Sequence, residues 1–213
     1  MDKIGLFPLS FALFPESVYP LHIFEDRYKA LINDCLDKKK DFGIVLSINS
    51  KIYDIGCTAE ISDVIKIYPD GKMDILIVGK KKFKIENFND GEKPYFVADI
   101  EFVYDDIEPL NDELLLECLE AYNQIVDKIK NVKIEKIAFN SLEGTKTPSY
   151  FIAQKSGLNP EQKQYLLEIN TENGRLEMLF EHLSKLLPIV NEVDALAAIQ
   201  KNNGYYKPKF FNY

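Results

Sequence analysis

Hydrophobic positions along this chain follow three regimes. The first is a proline-broken aromatic run, Leu6 to Tyr28, reading LFPLSFALFPESVYPLHIFEDRY, with six phenylalanines or tyrosines and three prolines in 23 residues. The prolines forbid a continuous helix and bias Phe7, Phe14 and Tyr19 towards extended backbone. The run predicts extended Leu6–Leu9, a turn over Phe14–Ser17, extended Val18–His22 and a helix starting near Phe24. Glu25 and Asp26 then suit the helix N-terminal dipole. Tyr28, Leu31, Ile32 and Cys35 recur at helical spacing, and the helix is expected to end in Asp37-Lys38-Lys39-Lys40.

The second regime is strand-like. Phe42–Ile48 is a short apolar run, followed by Gly56–Ile61, Asp63–Tyr68, Met73–Val78 and Lys80–Ile85. Pro69-Asp70-Gly71-Lys72 is a turn with a mechanism, because proline presets one dihedral and glycine accepts a positive one. It predicts a hairpin between Tyr68 and Met73. Asn89-Asp90-Gly91 marks a further turn. Phe96, Ala98, Ile100, Phe102 and Tyr104 then share one face of a last strand. Short strands at this spacing predict a β-barrel or sandwich.

In the third regime the period returns to 3.6. Asn111 or Asp112 can cap a helix whose stripe is Leu115, Cys118, Leu119, Tyr122, Ile125, Val126 and Ile129. Glu143–Pro148 is a polar connection. Tyr150–Lys155 reads as helix, with Gly157 as its cap and Asn159-Pro160-Glu161 opening the next. Gln162–Ile169 and Asn173–Leu187 complete the helical segments. Val193–Ile199 suggests one more short helix, and Gly204–Tyr213 is an aromatic tail. The expected class is α+β: an N-terminal β-domain over 1–107, a helical subdomain over 108–190 and a tail over 191–213.

Composition narrows the function. The 213 residues carry 34 acids against 26 bases, a net charge of −8. That opposes non-specific phosphate-backbone binding, which needs concentrated positive surface. No run reaches the length of a spanning helix, and the start, Met1-Asp2-Lys3, has no signal-peptide pattern. Cys35, Cys57 and Cys118 are odd in number and far apart, which fits a reducing cytoplasm and neither a disulfide framework nor a zinc site.

The order Leu6-Phe7-Pro8-Leu9, Leu13-Phe14-Pro15, then Pro20-Leu21-His22-Ile23-Phe24-Glu25-Asp26-Arg27-Tyr28 resembles the opening of the Lon protease N-terminal domain. That is a substrate-binding domain with a PUA-like β-fold followed by a helical bundle. The strands and the pattern Gln164, Leu166, Leu167, Glu168, Arg175, Leu176 extend the resemblance over roughly Ile4 to Val190. The family usually places arginine after the glycine that corresponds to Gly79. Here Lys80-Lys81-Lys82-Phe83 comes next, keeping charge without the planar fork. The lysines read as a solvated strand face. Pro8, Pro15, Pro20, His22, Phe24, Glu25, Arg27 and Tyr28 form the structural signature.

Full-length Lon proteases add an ATPase module and a Ser-Lys peptidase. A phosphate-cradling GxxxxGK[ST] loop does not occur in this sequence: Gly71-Lys72 and Gly79-Lys80 both lack the earlier glycine. His22 and His182 are the only histidines. His22 reads as a hydrogen-bonded structural residue rather than a general base, and His182 as a helix-surface or groove residue. Pairing Cys35 or Cys57 with His22 leaves no orienting third group. Glu25 and Arg27 are expected to form a buried ion pair fixing the strand–helix corner. No catalytic residue, metal or cofactor is therefore expected. The resemblance implies a non-catalytic protein that recognises unfolded or degron-bearing polypeptide. A separate ATP-dependent protease is kept as a second candidate partner. Phe11, Phe14 and Tyr19 are the candidate polypeptide-contacting residues. The alternative is an RNA-binding PUA-like module, whose binding would fall steeply with salt.

Overall fold

The computed structural model describes residues 2–89, 91, 93–129, 134–142 and 144–188. The chain divides into two compact units, Met1–Tyr104 and Asp105–Tyr213. The tail, the helix expected over Val193–Ile199 and the centre of the Asn89-Asp90-Gly91 turn lie outside the described residues.

In the first unit, β1 (Asp2–Leu9), β2 (Val18–Ile23), α1 (Asp26–Lys38), β3 (Phe42–Ile48), β4 (Lys51–Ile67), β5 (Met73–Asn89) and β6 (Val97–Phe102) succeed one another along the chain. The sheet runs β2-β5-β4-β3-β1-β6, and β5 also pairs with β6, so five strands close on themselves. Closure removes the open edges that a five-stranded sheet would otherwise expose. Among the described residues, only β1 and β3 run parallel, with Leu6 opposite Gly43. α1 occupies the long connection that such a parallel crossover requires.

β5 achieves the closure by serving two neighbourhoods. Its first part, Met73–Val78, pairs with β2, while Phe83–Asn89 pairs with β6. The four short strands expected between Gly56 and Ile85 are thus two long ones. The expected breaks at Ser62 and Gly79 are absorbed as register shifts in the β4–β5 ladder. A bulge of this kind bends a strand without ending it. Ser62 remains tied in through its hydroxyl, which donates to the Leu76 carbonyl at 3.1 Å.

Alternation places Leu6, Val45, Phe83, Ile85, Ala98 and Ile100 in one buried cluster. Burying a side chain the size of Phe83 contributes about 2–3 kcal/mol. A second cluster joins Tyr28, Leu31, Ile32 and Cys35 of α1 to Phe7, Phe42, Ile44 and Ile75 of the sheet. The stripe expected on α1 is therefore its packing face. Lys80, Lys81 and Lys84 are exposed as expected, but Lys82 is 4% exposed. The register shift beside Cys57 turns it inward.

The second unit is helical: α2 (Asp112–Lys128), a short 3-10 turn (Phe139–Leu142), α3 (Pro148–Lys155), α4 (Pro160–Glu168) and α5 (Glu172–Leu186). α2 and α3 each pack on α5. Asn111 caps α2 by accepting from the Leu114 N–H, and Asn159 and Gln162 make a reciprocal capping box on α4. Gly157 takes φ +71° just past α3. Arg175, fully buried, is the hub. Its guanidinium donates to Glu172, Asp105, the Ser149 hydroxyl and the Ile169 carbonyl, and lies 4.5 Å from the Tyr150 ring centroid. Among the described residues, no helix is long and apolar enough to cross a membrane.

Candidate functional site

The site is the opening stretch, built from β1, the loop over residues 10–17, β2 and the start of α1. The loop is held from within. Ala12, Leu13 and Phe14 are buried, and the Ser17 hydroxyl and N–H both reach the Phe14 carbonyl, at 2.5 and 3.2 Å. Glu16 N–H donates to Gly79 O at 2.8 Å, and Gly79 N–H donates to Ser17 O at 2.9 Å. Gly79 is essential to this contact. A Cβ there would stand 2.1 Å from the Phe14 carbonyl oxygen, which no flexible side chain can relieve.

This scaffold separates the three candidate contact residues. Phe14 is 2% exposed and belongs to the interior, so it supports the loop rather than offering surface. Phe11 and Tyr19 are half-buried and stack on each other, with ring centroids 4.4 Å apart. Two rings that hold each other lose little freedom on meeting a ligand, a low-entropy way to present apolar area.

β2 then divides its side chains between two faces. Tyr19, Leu21 and Ile23 turn to the core, while Val18, Pro20 and His22 turn out. Val18 is 53% and Phe24 56% exposed. His22 Nδ1 lies 2.6 Å from Asp74 Oδ1, and the Tyr68 hydroxyl donates to Asp74 Oδ2 at 2.7 Å. That bond, which engages the phenol proton, holds the Tyr68 pKa above its ordinary value. His22 is hydrogen-bonded but exposed at the rim. Its partner Asp74 is 52 positions away in sequence, across the Pro69–Lys72 turn from Tyr68, and only strand pairing brings the three together.

Beside β2, a cleft of about 240 Å³ is lined by Phe7, Pro8, Leu9, Leu21, Phe24 and Tyr28, with His22, Glu25 and Arg27 at its side. Phe7 and Tyr28 stack at 3.9 Å, and Arg27 lies 4.4 Å from the Tyr28 ring centroid. Arg27 pairs with Glu25 at 2.8 Å, but the side chains are 44% and 41% exposed. The expected buried pair is thus a surface one, because both residues sit at the solvent-facing first turn of α1. Such a pair contributes at most about 1 kcal/mol. Pro8 lies inside β1, opposite Val45, and Pro15 sits in the turn.

The thiols are poor nucleophiles. Burial pushes Cys35 up to about 11 and Cys57 up to about 12, so both remain protonated and unreactive at neutral pH. In the second unit, His182 is half-buried and bonded to the Ser156 carbonyl at 2.9 Å, and burial lowers its pKa. The site thus offers aromatic and aliphatic surface with its charges already paired, which suits binding.

Solved structures share this α+β fold. A Lon N-terminal domain protein from Xanthomonas campestris superposes with a TM-score of 0.68 at 21% identity, covering 85% of this chain and 98% of that one. The N-terminal domain of a Mycobacterium avium complex Lon protease gives 0.58 at 16% identity, covering 86% and 98%. The family model for the ATP-dependent protease La (LON) substrate-binding domain matches residues 3–185, and the chain belongs to that family. It is 31% identical to a Lon protease of Flavobacterium johnsoniae over 74% of this chain and 21% of the relative. It is 29% identical to Lon protease 1 of Hydrogenovibrio crunogenus over 92% of this chain and 24% of the relative. The chain thus spans about a quarter of the length of those proteases or less.

Proposed function

We propose that this chain is a non-catalytic recognition protein that binds unfolded or degron-bearing polypeptide, acting as an adaptor for a separate ATP-dependent protease in the cytoplasm. The carrying observation is the stacked Phe11–Tyr19 pair, presented half-exposed on a loop that Phe14 braces from inside, in a chain of the Lon substrate-binding family. A polypeptide made available by unfolding exposes apolar side chains, and burial of those against the two rings supplies the binding free energy. The PUA-like barrel is the rigid support, and the helical bundle the second part of the protein.

Fluorescence anisotropy with a labelled unfolded polypeptide and with a random RNA, each over a salt series, tests this. Salt-tolerant polypeptide binding that weakens about tenfold in a Phe11→Ser, Tyr19→Ser double variant is expected. Steeply salt-dependent RNA binding without polypeptide binding would overturn it. The adaptor role is tested by adding the protein to a purified Lon-type protease and an unfolded client. Faster client degradation is the expected result, and an unchanged rate argues against delivery.

A further inference from the structure

The cleft beside β2 carries the reading of polypeptide recognition one step further, to the way the chain is held. We infer that this cleft takes one aromatic or branched aliphatic side chain of the bound polypeptide. The polypeptide is gripped by that anchor and does not join the sheet as an added strand. The inference rests on the polypeptide-binding function proposed above.

Size sets the occupant. An apolar cavity of about 150 Å³ admits benzene, so 240 Å³ holds one large side chain with its adjoining backbone. The lining chemistry agrees. Phe7, Leu9, Leu21, Phe24 and Tyr28 supply apolar walls. The polar groups at the side are already engaged, Arg27 by Glu25 at 2.8 Å and His22 by Asp74 at 2.6 Å. An anion there would meet the Glu25 and Asp74 carboxylates, whereas an apolar side chain leaves both pairs standing.

The sheet edge beside the cleft argues against strand addition. β2 is the terminal strand of the order. The hydrogen bond from Gly79 N–H to Ser17 O sets the alternation, so Tyr19, Leu21 and Ile23 bond to β5 and the nitrogen of Pro20 faces the open side. Proline has no donor to give there, and edge prolines blunt pairing with another chain. A second open stretch among the described residues, β4 beyond Ala59, carries two of the register shifts, at Ile61/Asp63 and Val64/Lys66. Bulges likewise disfavour an added strand.

Short labelled peptides separate the alternatives. One carries a single Phe in a Gly/Ser/Thr background, a second replaces that Phe by Ser, and a third keeps the Phe but is N-methylated at alternate backbone nitrogens. Wild-type protein should bind the first and third alike and the second about tenfold more weakly or worse. Phe24→Ser, at an exposed position and checked for folding by thermal melt, should weaken the first about tenfold. Loss of binding on N-methylation would overturn side-chain capture in favour of strand addition. Unchanged binding by Phe24→Ser, with binding lost in the Phe11/Tyr19 variant, would overturn the cleft and leave polypeptide recognition standing. No binding of any peptide or unfolded polypeptide by wild type would overturn both.

Discussion

Arg175→Met should destabilise the helical unit more than any surface change. The guanidinium is fully buried and makes hydrogen bonds of 2.9 Å to the Ser149 hydroxyl, 2.9 Å to the Ile169 carbonyl and 2.6 Å to Glu172, with a further one to Asp105. Methionine fills much of the volume but removes every one of these. The side chain of Glu172, only 12% exposed, would keep its bonds from Ser149 N–H and Oγ at 2.7 and 2.8 Å and lose its counter-charge. Breaking a buried pair from one side costs about 3–5 kcal/mol, chiefly because the remaining charge is left in low dielectric. Urea denaturation followed by far-UV circular dichroism, which reports mainly on helices, measures this. Adding Glu172→Gln to Arg175→Met removes the more buried of the two stranded carboxylates, Asp105 being the other, and should recover part of the loss. The pH dependence has a definite sign. Burial already raises the Glu172 pKa, so its folded form holds a proton at pH values where the unfolded form does not. That contribution to stability is present at acid pH and is lost as pH rises through the folded pKa. Without Arg175 the raise becomes larger, so the deficit of the variant should shrink in acid and widen towards neutrality. A variant within about 1 kcal/mol of wild type, or no recovery in the double variant, would refute the assignment of Arg175 as the hub.

Gly79→Ala forces a Cβ to within 2.1 Å of the Phe14 carbonyl oxygen; a loss of about 2–3 kcal/mol is expected by chemical denaturation, with faster amide exchange over residues 10–17. Asn159→Ala deletes the capping box of α4 and should lower stability by about 1 kcal/mol in the same assay. The three cysteines are buried, with pKa values pushed up to about 11 or 12. A thiol reagent at pH 8 should therefore label the native protein negligibly and the denatured protein three times. Fast native labelling would refute that burial.

Legibility from sequence depends on how local the physics is. The α4 cap, the Asn111 cap of α2, the Pro69–Lys72 turn and the α1 stripe each depend on residues within a few positions, and each is readable from types and spacing. The parallel β1–β3 pair and the β5–β6 closure depend on partners tens of residues away. Neither leaves a local pattern. The same holds at the site. Phe11, Phe14 and Tyr19 are all visible as aromatics, but that Phe14 is fully buried while Phe11 and Tyr19 are half-buried follows from Gly79 accepting the loop backbone. Lys82 is unreadable for a related reason. A register shift reverses the face of the residues beyond it, and nothing in a run of three lysines marks it.

The opening stretch does two tasks through one alternation. Because successive strand residues face opposite ways, a slip of β2 by one position would exchange Tyr19, Leu21 and Ile23 with Val18, Pro20 and His22. Three properties oppose that slip together. Pro20 cannot donate to β5, so its position in the ladder admits only one parity. His22 meets Asp74 only in the observed register, where the two are cross-strand partners. Ser17 and Gly79 lock the start of the strand. The residues left facing outward are therefore those whose exposure the fold enforces. Of these, Pro20 offers no donor on the open side of β2, and Phe24 beyond them stays exposed beside the cleft. The composition that looks at first like surplus aromatic core is thus partitioned by register into support and surface.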